Sequence, residues 1–171
     1  FVGRLIDSKN VNVLCERFLS SFTNKNADLI IVGSGLNLEK YKKKYTHPQI
    51  KFTGSLFGDE LLSYYMNSSA FVFPSTEEAW GLVINEAMSS GLPVIAHRQV
   101  GCVHDLILNK NTGYVIDSWD DLELRMNELY NNSELCDEFS KNAVRLMEKE
   151  WNYKLYKENL LRSIKKINQC L

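Results

Sequence analysis

The sequence predicts an α/β domain built on a doubly wound parallel sheet, and three observations carry that prediction. Short apolar runs alternate with helix-length amphipathic stretches along most of the chain. The runs are apolar at successive positions, as strands are when both sheet faces are covered. The 171 residues, 44% of them hydrophobic, suffice for one domain with a proper core. That apolar fraction excludes a disordered chain, and no apolar run approaches the ~20 residues of a membrane-spanning helix. With 20 Lys+Arg against 21 Asp+Glu, a broad electrostatic grip on nucleic acid is excluded, although a local basic patch is not.

Each element is read from its own pattern. Phe1-Val2-Gly3 reads as the end of a first strand. Val11, Leu14, Cys15, Phe18, Leu19 and Phe22 have the spacing of one buried helix face. Residues 27–32 form a continuous apolar strand, stopped by Gly33-Ser34-Gly35. A short lysine-rich helix over 38–45 leads to a strand at 50–53, ended by Gly54. Lys40, Lys42, Lys43 and Lys44 on that helix are read as a solvated face. A helix over 60–66 precedes a fourth strand at 70–73, which Pro74 stops, and Tyr64, Tyr65 and Met66 are expected to pack that helix. The next helix runs from Leu82 to Ser90 and closes with Gly91 at its C′ position. Strands at 93–96 and 114–116 come next. From about residue 119 the pattern is helical almost to the end, with a break at Asn131-Asn132-Ser133. In a final helix around 151–167, Leu155, Leu160, Leu161 and Ile164 are expected to be partly uncovered.

Cys15, Cys102, Cys136 and Cys170 are widely spread, with no C-x-x-C pair and no His at zinc-ligand spacing, and are expected to be reduced. His47, His97 and His104 are scattered, so no metal site is predicted. The chain opens on Phe1-Val2-Gly3-Arg4-Leu5 without Met, so it is expected to be part of something longer.

In open parallel sheets ligands sit beyond the carboxyl ends of the strands. At those ends lie Arg4 and Lys9, Gly33-Ser34-Gly35, Gly54, the run from Ser75 to Gly81, and His97 to Gly101. Cations, glycines and a carboxylate converging on one edge suit a phosphorylated ligand. Glu86 lies in a helix that is apolar almost all round and is therefore expected to be buried, where an ionised carboxylate needs hydrogen bonds. A ribose diol or an internal Lys or Arg would serve equally. Glu78 lies just before the helix, where the dipole tolerates an anion, although loop acids are commonly just solvated.

Together these residues form a recognisable pattern. Gly3-Arg4-Leu5 with Lys9, Ile31-Val32-Gly33-Ser34-Gly35, Phe52-Thr53-Gly54, Phe73-Pro74-Ser75, Glu78-Ala79-Trp80-Gly81-Leu82 with Glu86-Ala87-Met88, and Gly91-Leu92-Pro93-Val94-Ile95 occur in order. The chain resembles the C-terminal, donor-binding domain of the group 1 (family 4) glycosyltransferases over residues 1–116, with a compatible helical tail. The resemblance implies a Rossmann-like domain forming one half of a GT-B fold, spanning 1–171. The N-terminal acceptor domain would be absent from this chain.

The resemblance also implies an activity and a site. The full-length protein would be a retaining glycosyltransferase using a UDP- or GDP-linked sugar donor, with no metal and no other cofactor. Arg4 and Lys9 match positions that hold the diphosphate, and Glu78 with them forms the catalytic set. Gly81 and Leu82 would present amides to the diphosphate, while Glu78, Ala79 and Trp80 would face the sugar. Glu86 matches the ribose-binding acid, and Gly33, Gly54 and Leu56 would border the base. The acceptor would be a glycan or a lipid-linked molecule in glycan, polysaccharide or glycolipid synthesis, bound by the missing domain. The location would be cytoplasmic, with peripheral association of the full-length enzyme at the inner membrane face, and nucleic acid is not a partner. The fragment alone is expected to bind nucleotide and turn over little.

Three positions depart from the pattern: Asn10 and Val100 stand where Gly is frequent, and Asp105 where Glu is common. A dinucleotide oxidoreductase is disfavoured because Leu38 occupies the third glycine's place. A glycosidase using Glu78 and Glu86 is disfavoured because one of them belongs to a helix read as buried. A GT-B relative with other chemistry, such as an epimerase or phosphorylase, is the main alternative, and a binding-only nucleotide module is another.

Overall fold

The computed structural model describes residues 1–169, so Cys170 lies outside the described residues. Strand β1 (Leu29–Val32) pairs in parallel with β2 (Ile50–Gly54), Leu29 opposite Ile50. Strands β3 (Phe71–Phe73), β4 (Val94–His97) and β5 (Gly113–Ile116) form a second parallel set in that order. Between the two sets runs the N-terminal segment. Val2 forms a single parallel bridge to Val32, Gly3 N–H donates to the Val32 carbonyl at 3.0 Å, and the Phe1 ring stacks on Phe73 at 5.8 Å. The expected first strand is therefore one bridge long. It nevertheless divides β1 and β2 on one side from β3, β4 and β5 on the other. That division is the topological switch point of such sheets.

Phe71, Val72 and Phe73 are all buried, as are Val94, Ile95 and Ala96. Successive strand residues point to opposite faces, so both faces are covered. Helix α1 (Val11–Phe22) buries Val11, Leu14, Cys15, Phe18 and Phe22, the predicted face, while Leu19 is only partly covered. The lysines of α2 (Leu38–Lys44) are exposed. In α3 (Gly58–Met66) only Tyr65 is buried, whereas Tyr64 and Met66 face solvent. The expectation that all three pack the helix is corrected here, because they are consecutive and one helix face cannot hold three consecutive side chains.

Helix α4 (Leu82–Ser89) ends as predicted, with Gly91 N–H donating to the Met88 carbonyl and Leu92 N–H to that of Ala87, both at 3.0 Å. The four-residue α5 (Val103–Leu106) and a 3-10 turn at Asp7–Lys9 are too short for a periodic signal and have no sequence counterpart. Helix α6 (Trp119–Asn131) packs against α1, where Glu123 accepts from Arg17 at 3.3 Å and from Ser21 at 2.6 Å. The predicted break comes next, and Asn132 caps α7 (Ser133–Glu150) by accepting from Leu135 N–H at 3.0 Å. Helix α7 packs on α4. After Trp151 and Asn152 comes α8 (Tyr153–Gln169), whose Leu160, Leu161 and Ile164 are exposed and whose Leu155 is half-buried. Among the described residues no helix is long and apolar enough to cross a membrane.

Candidate functional site

The loop after the N-terminal segment is stapled to the loop after β3. Asn10 adopts left-handed backbone (φ 50°, ψ 33°), and its side-chain amide donates to the carbonyls of Ser8 and Pro74 and to the Thr76 hydroxyl at 3.0–3.2 Å. Asn is among the few side chains that enter this region readily, which accounts for its standing where Gly is frequent. Thr76 N–H closes the staple on the Ser8 carbonyl at 2.9 Å.

This staple brings two predicted site residues together. Lys9 is buried, and its ammonium donates to Glu78 Oε2 at 2.6 Å, the Glu77 carbonyl at 3.0 Å and Ser75 Oγ at 3.1 Å. An ammonium has three protons, and each has an acceptor here. Arg4, by contrast, is exposed and makes no ion pair or side-chain hydrogen bond among the described residues.

The segment from Glu78 to Leu82 is positioned by the loop after β4. Glu78 bridges Val100, Gly101 N–H donates to the Glu78 carbonyl at 3.0 Å, and Cys102 N–H to that of Trp80 at 3.1 Å. A Cβ on Gly101 would lie 1.9 Å from the Ala79 carbonyl oxygen, so the glycine retained at this loop is the one the contact requires. Val100 is buried and supplies apolar packing instead. Ala79 is exposed, and Trp80 is half-buried, its indole N–H donating to Asn85 Oδ1 at 2.9 Å and its ring 5.1 Å from that of Trp151. Gly81 is the N-cap of α4 and has no side chain to cap it, so first-turn amides of that helix are left for other acceptors.

Glu86 corrects an expectation. It is exposed, not buried, because α4 buries Ile84, Ala87 and Met88 but turns Leu82, Glu86 and Ser89 outward. Those three share one helical face, which the apolar composition alone concealed. They border a groove of about 910 Å³ whose walls also include Tyr65, Trp80 and Trp151. Tyr65, on α3, donates its hydroxyl to Glu86 Oε2 at 3.0 Å. Burial, followed by the Glu86 charge, pushes the Tyr65 phenol well above its ordinary pKa, so it stays a donor. The sequence reading did not single out Tyr65 as a site residue. Its position four residues after Leu61 on a helix bordering the strand edge was the available signal.

At the other end, Gly33 N–H donates to the Gly54 carbonyl at 2.7 Å and Ser55 Oγ to Ser34 Oγ at 2.8 Å. Gly33 also meets a packing demand, since a Cβ there would lie 1.9 Å from the Gly3 carbonyl oxygen. Leu56 is half-buried beside these loops. Among the described residues no group of three or more His, Cys, Asp or Glu is placed to hold a metal ion.

The family described as "Glycosyl transferases group 1" matches residues 1–145. The chain belongs to that family. As a group 1 glycosyl transferase chain it is 40% identical over 114 residues to the sulfoquinovosyl transferase SQD2 of Arabidopsis thaliana, covering 66% of this chain and 21% of that protein. It is 36% identical over 117 residues to a GDP-mannose-dependent alpha-mannosyltransferase of Mycolicibacterium smegmatis, covering 68% of this chain and 29% of that one. The chain thus spans less than a third of the length of either relative. Its fold matches that of Anabaena HepE, solved in complex with UDP, with a TM-score of 0.83 and 19% identity over 96% of this chain and 47% of that one. The group 1 chain accordingly has the α/β architecture of GT-B glycosyltransferase domains.

Proposed function

We propose that this chain is the donor-binding half of a retaining glycosyltransferase that takes its sugar from a nucleotide diphosphate donor. Glu86 carries the reading. It is the one charged side chain of α4, exposed to a groove, with one oxygen held by Tyr65 and the other able to accept from a ribose diol. Arg4 and Lys9 receive the diphosphate, together with the amides at Gly81 and Leu82. Breaking the bond to the sugar puts negative charge on the diphosphate, and one such donor typically lowers the barrier by ~3 kcal/mol. Glu78, Ala79 and Trp80 face the sugar, while the loops at Gly33, Gly54 and Leu56 border the base. Lys9 reaches phosphate by exchanging one of its three present acceptors.

The acceptor, a glycan or lipid-linked molecule, is assigned to a second, N-terminal domain, with peripheral membrane association of the whole enzyme. The donor's base is uracil or guanine: HepE was solved with UDP, and the mycobacterial relative is named for GDP-mannose. A thermal-shift and calorimetry panel of UDP, GDP, ADP and their sugars tests the reading. Ligand at 100 times its Kd stabilises by about 2.7 kcal/mol, so the matching base should raise Tm by several degrees. No stabilisation by any of them would overturn the proposal.

A further inference from the structure

We infer that Tyr65 is a positioning residue for recognition of the nucleotide's ribose, acting through Glu86; this rests on the assignment of Glu86 to the ribose hydroxyls. Glu86 sits on the outward face of α4, where an unrestrained carboxylate would sample several rotamers in solvent. The Tyr65 side chain is buried against Phe71, with ring centroids 5.9 Å apart, so its position is set by the core and not by the groove. Its hydroxyl reaches across from α3 to α4 and takes one lone pair of Oε2 at 3.0 Å. The carboxylate is thereby oriented before any ligand arrives, and Oε1 together with the second lone pair of Oε2 is left to accept from a ligand. A vicinal diol needs two acceptor sites at a defined separation, so orienting the carboxylate converts a mobile charge into a geometric filter. Glu86 has no cationic partner within salt-bridge distance among the described residues, so Tyr65 alone restrains it from the protein side.

The test compares UDP and GDP with their 2′,3′-dideoxy analogues, by calorimetry, on this chain and on Tyr65→Phe and Glu86→Gln. Phe keeps the ring and its packing, so the fold is preserved. The parent should prefer the ribonucleotide that it binds over its dideoxy form. Tyr65→Phe should weaken the ribonucleotide about three- to tenfold while leaving the dideoxy analogue within twofold, as loss of one hydrogen bond predicts. Glu86→Gln should remove most of the preference. An equal loss of both ligands in Tyr65→Phe would show a packing role and overturn the inference. Unchanged binding in Tyr65→Phe beside lost preference in Glu86→Gln would overturn it and leave the Glu86 assignment standing. If neither variant alters the preference, or if neither nucleotide binds, the Glu86 assignment fails and the inference falls with it.

Discussion

Lys9 donates to Glu78 across 2.6 Å, joining two loops that lie 69 residues apart in the chain. The lysine is 7% exposed at its side chain and the glutamate 27%, so this is a largely desolvated pair. Its worth depends on the other two acceptors, Ser75 and the Glu77 carbonyl, which complete the ammonium's shell. Lys9→Met keeps the stem's volume and removes the charge. It leaves Ser75 and Glu78 short of a donor in a mostly dry loop. The expected loss is about 1–3 kcal/mol of unfolding free energy, read from urea titration. An unchanged midpoint would mean that the loops are held without the pair.

Arg4 should separate from Lys9 in such measurements. It is exposed, and its side chain makes no hydrogen bond or ion pair among the described residues. Arg4→Ala is expected to leave stability within about 0.5 kcal/mol of the parent, as for surface positions generally. Nucleoside diphosphate affinity should fall at least tenfold, because a charge-assisted bond to phosphate is lost. Nucleoside affinity should be unaffected. Parallel titrations with UDP and uridine, or GDP and guanosine, check both halves, and equal effects on the two ligands would remove Arg4 from the phosphate site.

The buried face of α1 and the C′ glycine at 91 are local patterns, and both appear as expected because periodicity and capping are properties of contiguous residues. The placing of Lys9 and Glu78 at strand ends was also legible, since parallel topology alone brings those two loops to one edge. The Lys9–Glu78 pairing was not, because it depends on a hydrogen-bonded staple through Asn10 that no spacing reveals. Glu86 was misplaced for a related reason. Leu82 is 69% exposed, so apolar composition at the start of α4 reports a groove wall as readily as a core. Asn10 itself held a usable clue, since Asn in a glycine's place signals left-handed backbone.

Gly101 links the loop after β4 to the site through a close approach. A Cβ there would meet the Ala79 carbonyl oxygen and carbon at 1.9 and 2.7 Å, both backbone atoms that cannot rotate away. Gly101→Ala must therefore push residues 78–80 outward and lengthen the bond from Gly101 N–H to the Glu78 carbonyl. The expected cost is ~1–3 kcal/mol, the range for overpacked sites. Donor affinity should fall with it, because Glu78 moves. A Tm equal to the parent's would show that the loop yields freely.

His97 supplies a pH dependence whose sign is determined by its surroundings. It lies at the carboxyl end of β4 with its ring 5.3 Å from Trp119, and its Nδ1 accepts from Gln99 N–H at 3.2 Å. Burial lowers its pKa from the ordinary 6.5; Asp117 opposes the shift, and Arg98 adds to it. Asp117 is itself engaged by Arg98, through Nε and, at 2.8 Å, through Nη2, which limits its pull on the imidazole. A base with a depressed folded pKa is protonated first in the unfolded chain. Just below pH 6.5 the unfolded state therefore binds more protons, and stability falls as pH falls through that window. Above it both states hold neutral imidazole and the contribution is constant. His97→Gln should flatten the decline of Tm between pH 7 and 5.5 relative to the parent, measured by calorimetric scans in matched buffers. Parallel curves for the two proteins would mean that carboxylates alone set the acid limb.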